Sequence, residues 1–168
     1  MKNLKATVAH CHEGCIRDIQ LFNELAGNEF CMANRRFDVP STQIQMSLIE
    51  EELLELQEAY ENDDLLEVVD ACCDSIVVIT GMLHKLGIDP VLALKEVNAS
   101  NLSKFCKSEY EADASVKKYL GDSRYSEVHH SKVGDYWVIY GKKTDTDGWK
   151  VLKGVNYREP DFKMIMEG

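Results

Sequence analysis

The chain has 168 residues, of which 45% are hydrophobic and 29% charged, with a net charge of −10. That size and composition suit one globular body with a real core and argue against a disordered chain. The acidic balance argues against a nucleic-acid polymer as partner, because a phosphate backbone needs a basic surface, but it leaves open small phosphorylated ligands joined through a divalent cation.

The opening "MKNLKATVAHCHEG" contains no apolar run of the signal-peptide kind. The longest apolar stretch, 71–83, is interrupted by Asp74, Ser75, Thr80 and Gly81 and is too short for a bilayer. A cytoplasmic protein without membrane contact is expected. Of the six cysteines, Cys72 and Cys73 are neighbours inside a helical pattern, where their side chains diverge. Free thiols are therefore expected rather than disulfides.

Val8, Cys11, Cys15, Ile19, Phe22 and Ala26 recur at helical spacing and predict a first helix, stopped by Gly27–Asn28. Residues 28–40, with the basic pair Arg35–Arg36, read as a loop. The second helix is expected to start at "PSTQIQ", with Thr42 as N-cap and Gln45 completing a capping box, and to run to about Tyr60. After a short turn Asp64 caps a third helix, which ends at "LGIDP". There Gly87 suits the C′ position, and Asp89–Pro90 opens a fourth helix. Four helices joined by short turns predict an antiparallel four-helix bundle, so the fold class expected is all-α.

Residues 50–74, "EEELLELQEAYENDDLLEVVDACCD", hold eleven acidic residues and no Lys, Arg or His. Helical phase divides them. At about 100° per residue Glu52 falls inside the apolar arc of the second helix and Glu55 at its edge, whereas Glu50, Glu51 and Glu58 lie on the far side. The third helix is apolar almost all round from Leu65 to Leu83, the pattern of a buried central helix, and its only acids are Glu67, Asp70 and Asp74 within an arc of about 60°. Facing carboxylates at low dielectric repel strongly unless a cation lies between them. A solvated stripe is the alternative, but such stripes usually include Lys or Arg. An all-carboxylate donor set suits Mg²⁺ or Mn²⁺ and not zinc. On the fourth helix Asn98 and Asn101 fall on the apolar face with Lys104 at its margin, either as a buried polar network or as a grip on phosphate oxygens.

After Phe105 the character changes. Residues 109–120 read as a short polar helix, and "DYWVIYGKK" and "GWKVLKG" as two strands of a small β-hairpin around "TDTD". The expected division is a helical domain over 1–108 and an extension over 109–168 packed on the same domain. Three further features point elsewhere on first sight. "HCHEGC" at 10–15 lacks a second Cys/His pair for zinc, "DTDG" lacks the remaining ligands of a calcium loop, and Trp137, Tyr140 and Trp149 read as hairpin packing. A di-iron bundle needs two Glu-x-x-His pairs, and the only one is Glu127–His130 in the extension.

"EExxE" (Glu51, Glu52, Glu55) followed by "ExxD" (Glu67, Asp70), then "EVNASNLSKF" and "GWKVLKGVNYREPDF", resembles the signature of the all-α nucleoside triphosphate pyrophosphohydrolases, the MazG-like enzymes. Dimeric dUTPases and phosphoribosyl-ATP pyrophosphohydrolases are grouped with them, and the tail is similar to that of a phage and bacterial subgroup. The resemblance implies hydrolysis of a nucleotide between its α- and β-phosphates, giving a monophosphate and pyrophosphate, by a homodimer or a tetramer. By position, Glu52, Glu55, Glu67 and Asp70 would hold Mg²⁺, with Glu51 orienting water or acting as general base. Asp74 would bind a second ion or hydrate the first, and Asn98, Asn101 and Lys104 would contact phosphates. The chain departs from the family pattern at Asn98 and Ala99, where His and a variable, often basic, residue are common, and at Val155 and Glu159, where prolines are usual. Phosphoribosyl-ATP is the rival substrate. A helical dimer that binds a nucleotide or a protein without catalysis is the rival class.

Overall fold

The computed structural model describes residues 2–28, 30, 37 and 39–167, with side chains described from Gly14 onward except that of Glu167. The side chains of Val8 and Cys11, the residue Cys31, the pair Arg35–Arg36 and most of "HCHEGC" lie outside the described residues. In chain order the elements are α1 (Lys2–Leu25), α2 (Pro40–Glu61), α3 (Leu65–Lys85), α4 (Pro90–Leu102), α5 (Glu109–Lys118), β1 (Tyr125–Val133), β2 (Tyr136–Lys143), β3 (Trp149–Leu152) and α6 (Lys163–Glu167). Two compact units divide them: 1–93 with 163–168, and 94–162. No helix among the described residues is long and apolar enough to cross a membrane.

In the first unit α2 and α3 pack along their length and α1 packs on α3. The N-terminus of α2 differs from expectation. Pro40 starts the helix, Val39 is an extended N-cap with no side-chain cap bond, and the Thr42 hydroxyl donates to the Val39 carbonyl at 2.9 Å. Pro suits the first helical position because its fixed φ is preorganised and its missing N–H would be unpaired there anyway. The start three residues earlier places Gln45 beyond the first turn. It is buried, with its Nε2 donating to the Val78 carbonyl at 2.7 Å, so the capping box is not formed. Gly81 makes room for it, since a Cβ there would stand 2.9 Å from Gln45 Nε2.

The other helix ends follow the sequence reading. Asp64 accepts from the N–H groups of Leu66 and Glu67 at 3.1 and 3.3 Å. At the other end of α3, Gly87 takes φ +65°, and Gly87 and Ile88 donate back to His84 and Leu83. Asp89 accepts from Val91 and Leu92, with Pro90 first in α4.

Burial differs from expectation. The enclosed residues of α3 are small or polar (Ala71, Ser75, Thr80, Gly81, His84), while Leu65, Leu66, Val69, Ile76 and Ile79 are exposed. On α1, Cys15 and Phe22 are exposed and Asn23 is buried. Among the described residues only α1 and α2 are seen to pack on α3, so the all-round apolar pattern is not matched by all-round burial. The unit contains α1, α2, α3, only the first turn of α4 and the short α6, and a four-helix bundle is not seen within it.

The second unit holds a three-stranded antiparallel sheet in the order β1-β2-β3, not a two-stranded hairpin. β2 and β3 are the expected pair, with Ile139 opposite Leu152 and Lys142 opposite Trp149. β1, "YSEVHHSKV", is half-exposed and polar, which hides it from a search for apolar alternation. Its signal was the two-residue connection Gly134–Asp135 to β2, where Gly134 takes φ +59°. α5 packs on β1 and β2 over a core of Cys106, Ala112, Ile139 and Leu152.

The tail is bound to this core. Gly154 donates to the Lys104 carbonyl at 2.9 Å, and a Cβ on it would meet Cys106 Sγ at 2.8 Å. The Ser115 hydroxyl accepts from the Val155 N–H at 2.9 Å. Contrary to the apolar-face reading of α4, Asn98, Asn101 and Leu102 are exposed, and the buried polar residue is Ser100, which donates to the Arg158 carbonyl at 2.9 Å.

Candidate active site

Of the acids that helical phase turns inward (Glu52, Glu55, Glu67 and Asp70), only Glu52 is partly enclosed. Glu50, Glu51, Glu55 and Glu58 are exposed, and Glu52 is half-buried, with its Oε2 sealed from solvent and without a hydrogen-bond partner. Burial holds the Glu52 carboxyl above the usual carboxylate range, and the charges of Glu55, Asp74, Glu51 and Asp70 push it further in the same direction. An acceptor oxygen enclosed without a donor is costly, and it is worse when its neighbours carry the same charge. Four of the residues singled out in the sequence thus act on a fifth.

Glu67, Asp70 and Asp74 lie on the exposed side of α3. Glu55 and Glu67 line one open concavity of about 380 Å³ at the α2–α3 turn, with Glu58, Ala59, Asn62 and Asp64. Asn62 was not anticipated. It is the C-cap of α2, and its amide donates to the Glu58 carbonyl at 2.8 Å.

Two observations fit a hard divalent cation here: every donor is a carboxylate oxygen, and one buried oxygen is unpartnered. Among the described residues no group of three His, Cys, Asp or Glu side chains is gathered closely enough to hold a metal. The acids as placed form a charge cluster rather than a finished coordination shell.

In the second unit Lys104 Nζ donates to Asn101 Oδ1 at 2.7 Å. This joins two of the three residues read as phosphate contacts; Asn98 stands on the same helix with its side chain exposed. The reading of α4 missed a second polar stripe, Glu96, Ser100 and Ser103, at i, i+4 and i+7. All three hold the tail. Both terminal guanidinium nitrogens of Arg158 donate to Glu96, Nη2 at 3.1 Å, and Asp161 N–H donates to the same carboxylate at 2.8 Å. Ser103 Oγ accepts from Arg158 N–H at 3.1 Å. The Arg158 fork and the Asp161 N–H hold the Glu96 carboxyl down at about 2. The spacing of those polar residues was the available signal.

No curated protein and no solved structure matches the chain. Residues 32–101 match the family model of phosphoribosyl-ATP pyrophosphohydrolase, a segment that contains α2, α3, every carboxylate of the cluster, Asn98 and Asn101. Members of that family are pyrophosphohydrolases, hydrolases of phosphoanhydride bonds. Residues 32–101 of this largely helical chain are thus similar to a family of the MazG-like all-α NTP pyrophosphohydrolase superfamily.

Proposed function

We propose that the protein is a Mg²⁺-dependent nucleoside triphosphate pyrophosphohydrolase that cleaves between the α- and β-phosphates, releasing a nucleoside monophosphate and pyrophosphate. The observation that carries this reading is the Glu52 oxygen, enclosed without a donor among like charges on α2 and α3. Such an arrangement is unfavourable for the protein alone and favourable once positive charge is supplied.

Glu52, Glu55, Glu67 and Asp70 would hold Mg²⁺, or Mn²⁺, which when bound supplies charge neutralisation for the phosphates and acidifies water. Glu51, exposed beside Glu52, accepts the proton of the attacking water, and Asp74 supports the ion site. Asn101 and Lys104, already bonded to each other, donate to phosphate oxygens, with Asn98 alongside. The exposed apolar residues of α2 and α3, Leu53, Leu54, Leu66, Val69, Ile76 and Ile79, favour a second copy as the cover of that face, giving a homodimer or a tetramer in the cytoplasm.

The test is incubation with NTPs and dNTPs plus Mg²⁺, scored for pyrophosphate, beside Glu55→Ala. Release lost in the variant is expected. No release from any substrate, or equal release from both proteins, leaves the non-catalytic dimer as the better reading. The matched family model favours one second reading, phosphoribosyl-ATP as substrate. Adding phosphoribosyl-ATP to the panel and identifying the monophosphate formed separates it, because that product differs from those of the common nucleotides.

A further inference from the structure

The second unit contains a cavity of about 470 Å³ that no step above uses. Ala99 and Leu102 of α4 form one wall, and Phe105 and Tyr136 another. The two rings stand 6.1 Å apart with their planes inclined at 59°. They make a wedge in which a flat ring can lie on one face and meet the other edge-on, the arrangements aromatic pairs prefer.

The rim is polar and of mixed sign: the Asn156 amide, Lys107 and Glu111. Neither the Asn156 amide nor the Lys107 ammonium has a hydrogen-bond partner among the described residues, whereas Glu111 Oε2 already accepts from the Lys107 N–H at 2.8 Å. A ligand matching this lining is planar and offers both donors and acceptors along its edge. Cavities that take such ligands enclose roughly 300–1,000 Å³ and combine apolar walls with a few convergent polar groups.

Position narrows the ligand further. On a helical wheel Asn98 lies about 40° from Leu102, so the candidate phosphate face and this cavity adjoin on α4. Asn156 is held in place from behind: two residues on, Arg158 is fastened to Glu96, Ser100 and Ser103. The motifs around Ser100–Phe105 and Gly154–Tyr157 meet here, and neither alone makes the cavity.

We propose that this cavity is a nucleoside-binding site in which Asn156 reads the edge of the base. It rests on the nucleotide reading of the chain for its biological substrate, but not for its chemistry. The probes are uridine, cytidine, adenosine and guanosine without phosphates, followed by side-chain amide and aromatic NMR signals in the full-length protein. The variants are Leu102→Trp, which fills the cavity from an exposed position, and Asn156→Asp, which replaces a donor with an acceptor. At least one nucleoside is expected to shift the Asn156, Phe105 and Tyr136 signals, and Leu102→Trp to weaken that binding about tenfold or more. Asn156→Asp is expected to change the ranking of bases in binding and, in the hydrolysis assay, in kcat/KM. Hydrolysis whose base preference both variants leave intact overturns the proposal and spares the catalytic reading. Saturating nucleosides that leave the three signals unmoved also overturn it. Nucleoside binding blocked by Leu102→Trp without hydrolysis of any triphosphate supports the cavity and rejects the catalytic reading.

Discussion

At Glu52 the sealed carboxylate oxygen has no donor and four acidic neighbours, so ionising it works against the folded chain when no cation is present. Glu52→Gln keeps the shape and removes the charge. The variant is expected to melt a few degrees above the parent in chelator, by calorimetry, and to lose about two orders of magnitude or more in kcat. Added Mg²⁺ should raise the Tm of the parent and leave the variant unmoved. A variant that is both less stable and fully active would show that Glu52 is an ordinary packed residue. This residue was legible in the sequence, because helical phase alone turned it toward the apolar arc. Its enclosure was not, since that depends on which neighbours reach it.

Among the elements, α4 was read least well. Its apolar residues suggested an inward face carrying Asn98 and Asn101, but what the helix buries is a serine that fastens the tail. Periodicity reports which residues share a face and not what covers that face. The clamp is open to a pH test. The Glu96 carboxyl ordinarily titrates near 4.5 and is held at about 2 in the fold. Its stabilising contribution is therefore complete above 4.5 and is lost as pH falls toward about 2. The Tm difference between the parent and Glu96→Gln is expected to be largest above pH 4.5 and to shrink across that window. A difference constant from pH 6 to pH 2 would detach the carboxylate charge from the clamp. The sheet was legible in two of its three strands. β1 escaped notice because an edge strand can be polar on both faces, while helix ends were legible wherever an Asp or Gly had one backbone task.

Across the molecule the charge divides unevenly. The first unit carries seven basic and eighteen acidic residues, whereas the second carries twelve and eleven. The first unit alone is thus at −11 and the second at +1, so the net charge of −10 for the full chain understates the charge of the unit with the carboxylate cluster. That unit also carries the exposed apolar face. In light scattering the protein is expected at twice 19.1 kDa or a multiple of that, and Ile76→Lys on the same face at 19.1 kDa with its helical circular dichroism retained. A monomeric parent would remove the support for a second copy. Composition and helical pattern placed the chain in a helical class. They could not reveal that its apolar surface exceeds what one copy encloses, because an apolar residue reads the same whether its cover is internal or external.

The contact between Gly154 and Cys106 has a use as a chemical clock. Cys106 is only 1% exposed, and Gly154 approaches its sulfur so closely that no side chain fits between them. Thiol reagents reach it only when the tail lifts away. In a variant retaining Cys106 as its single cysteine, the labelling rate would measure how often this unit opens. Gly154→Ala, whose methyl group would press on that sulfur and on the Lys104 carbonyl, should make the clock run faster. A nucleoside seated beside Asn156 should slow it.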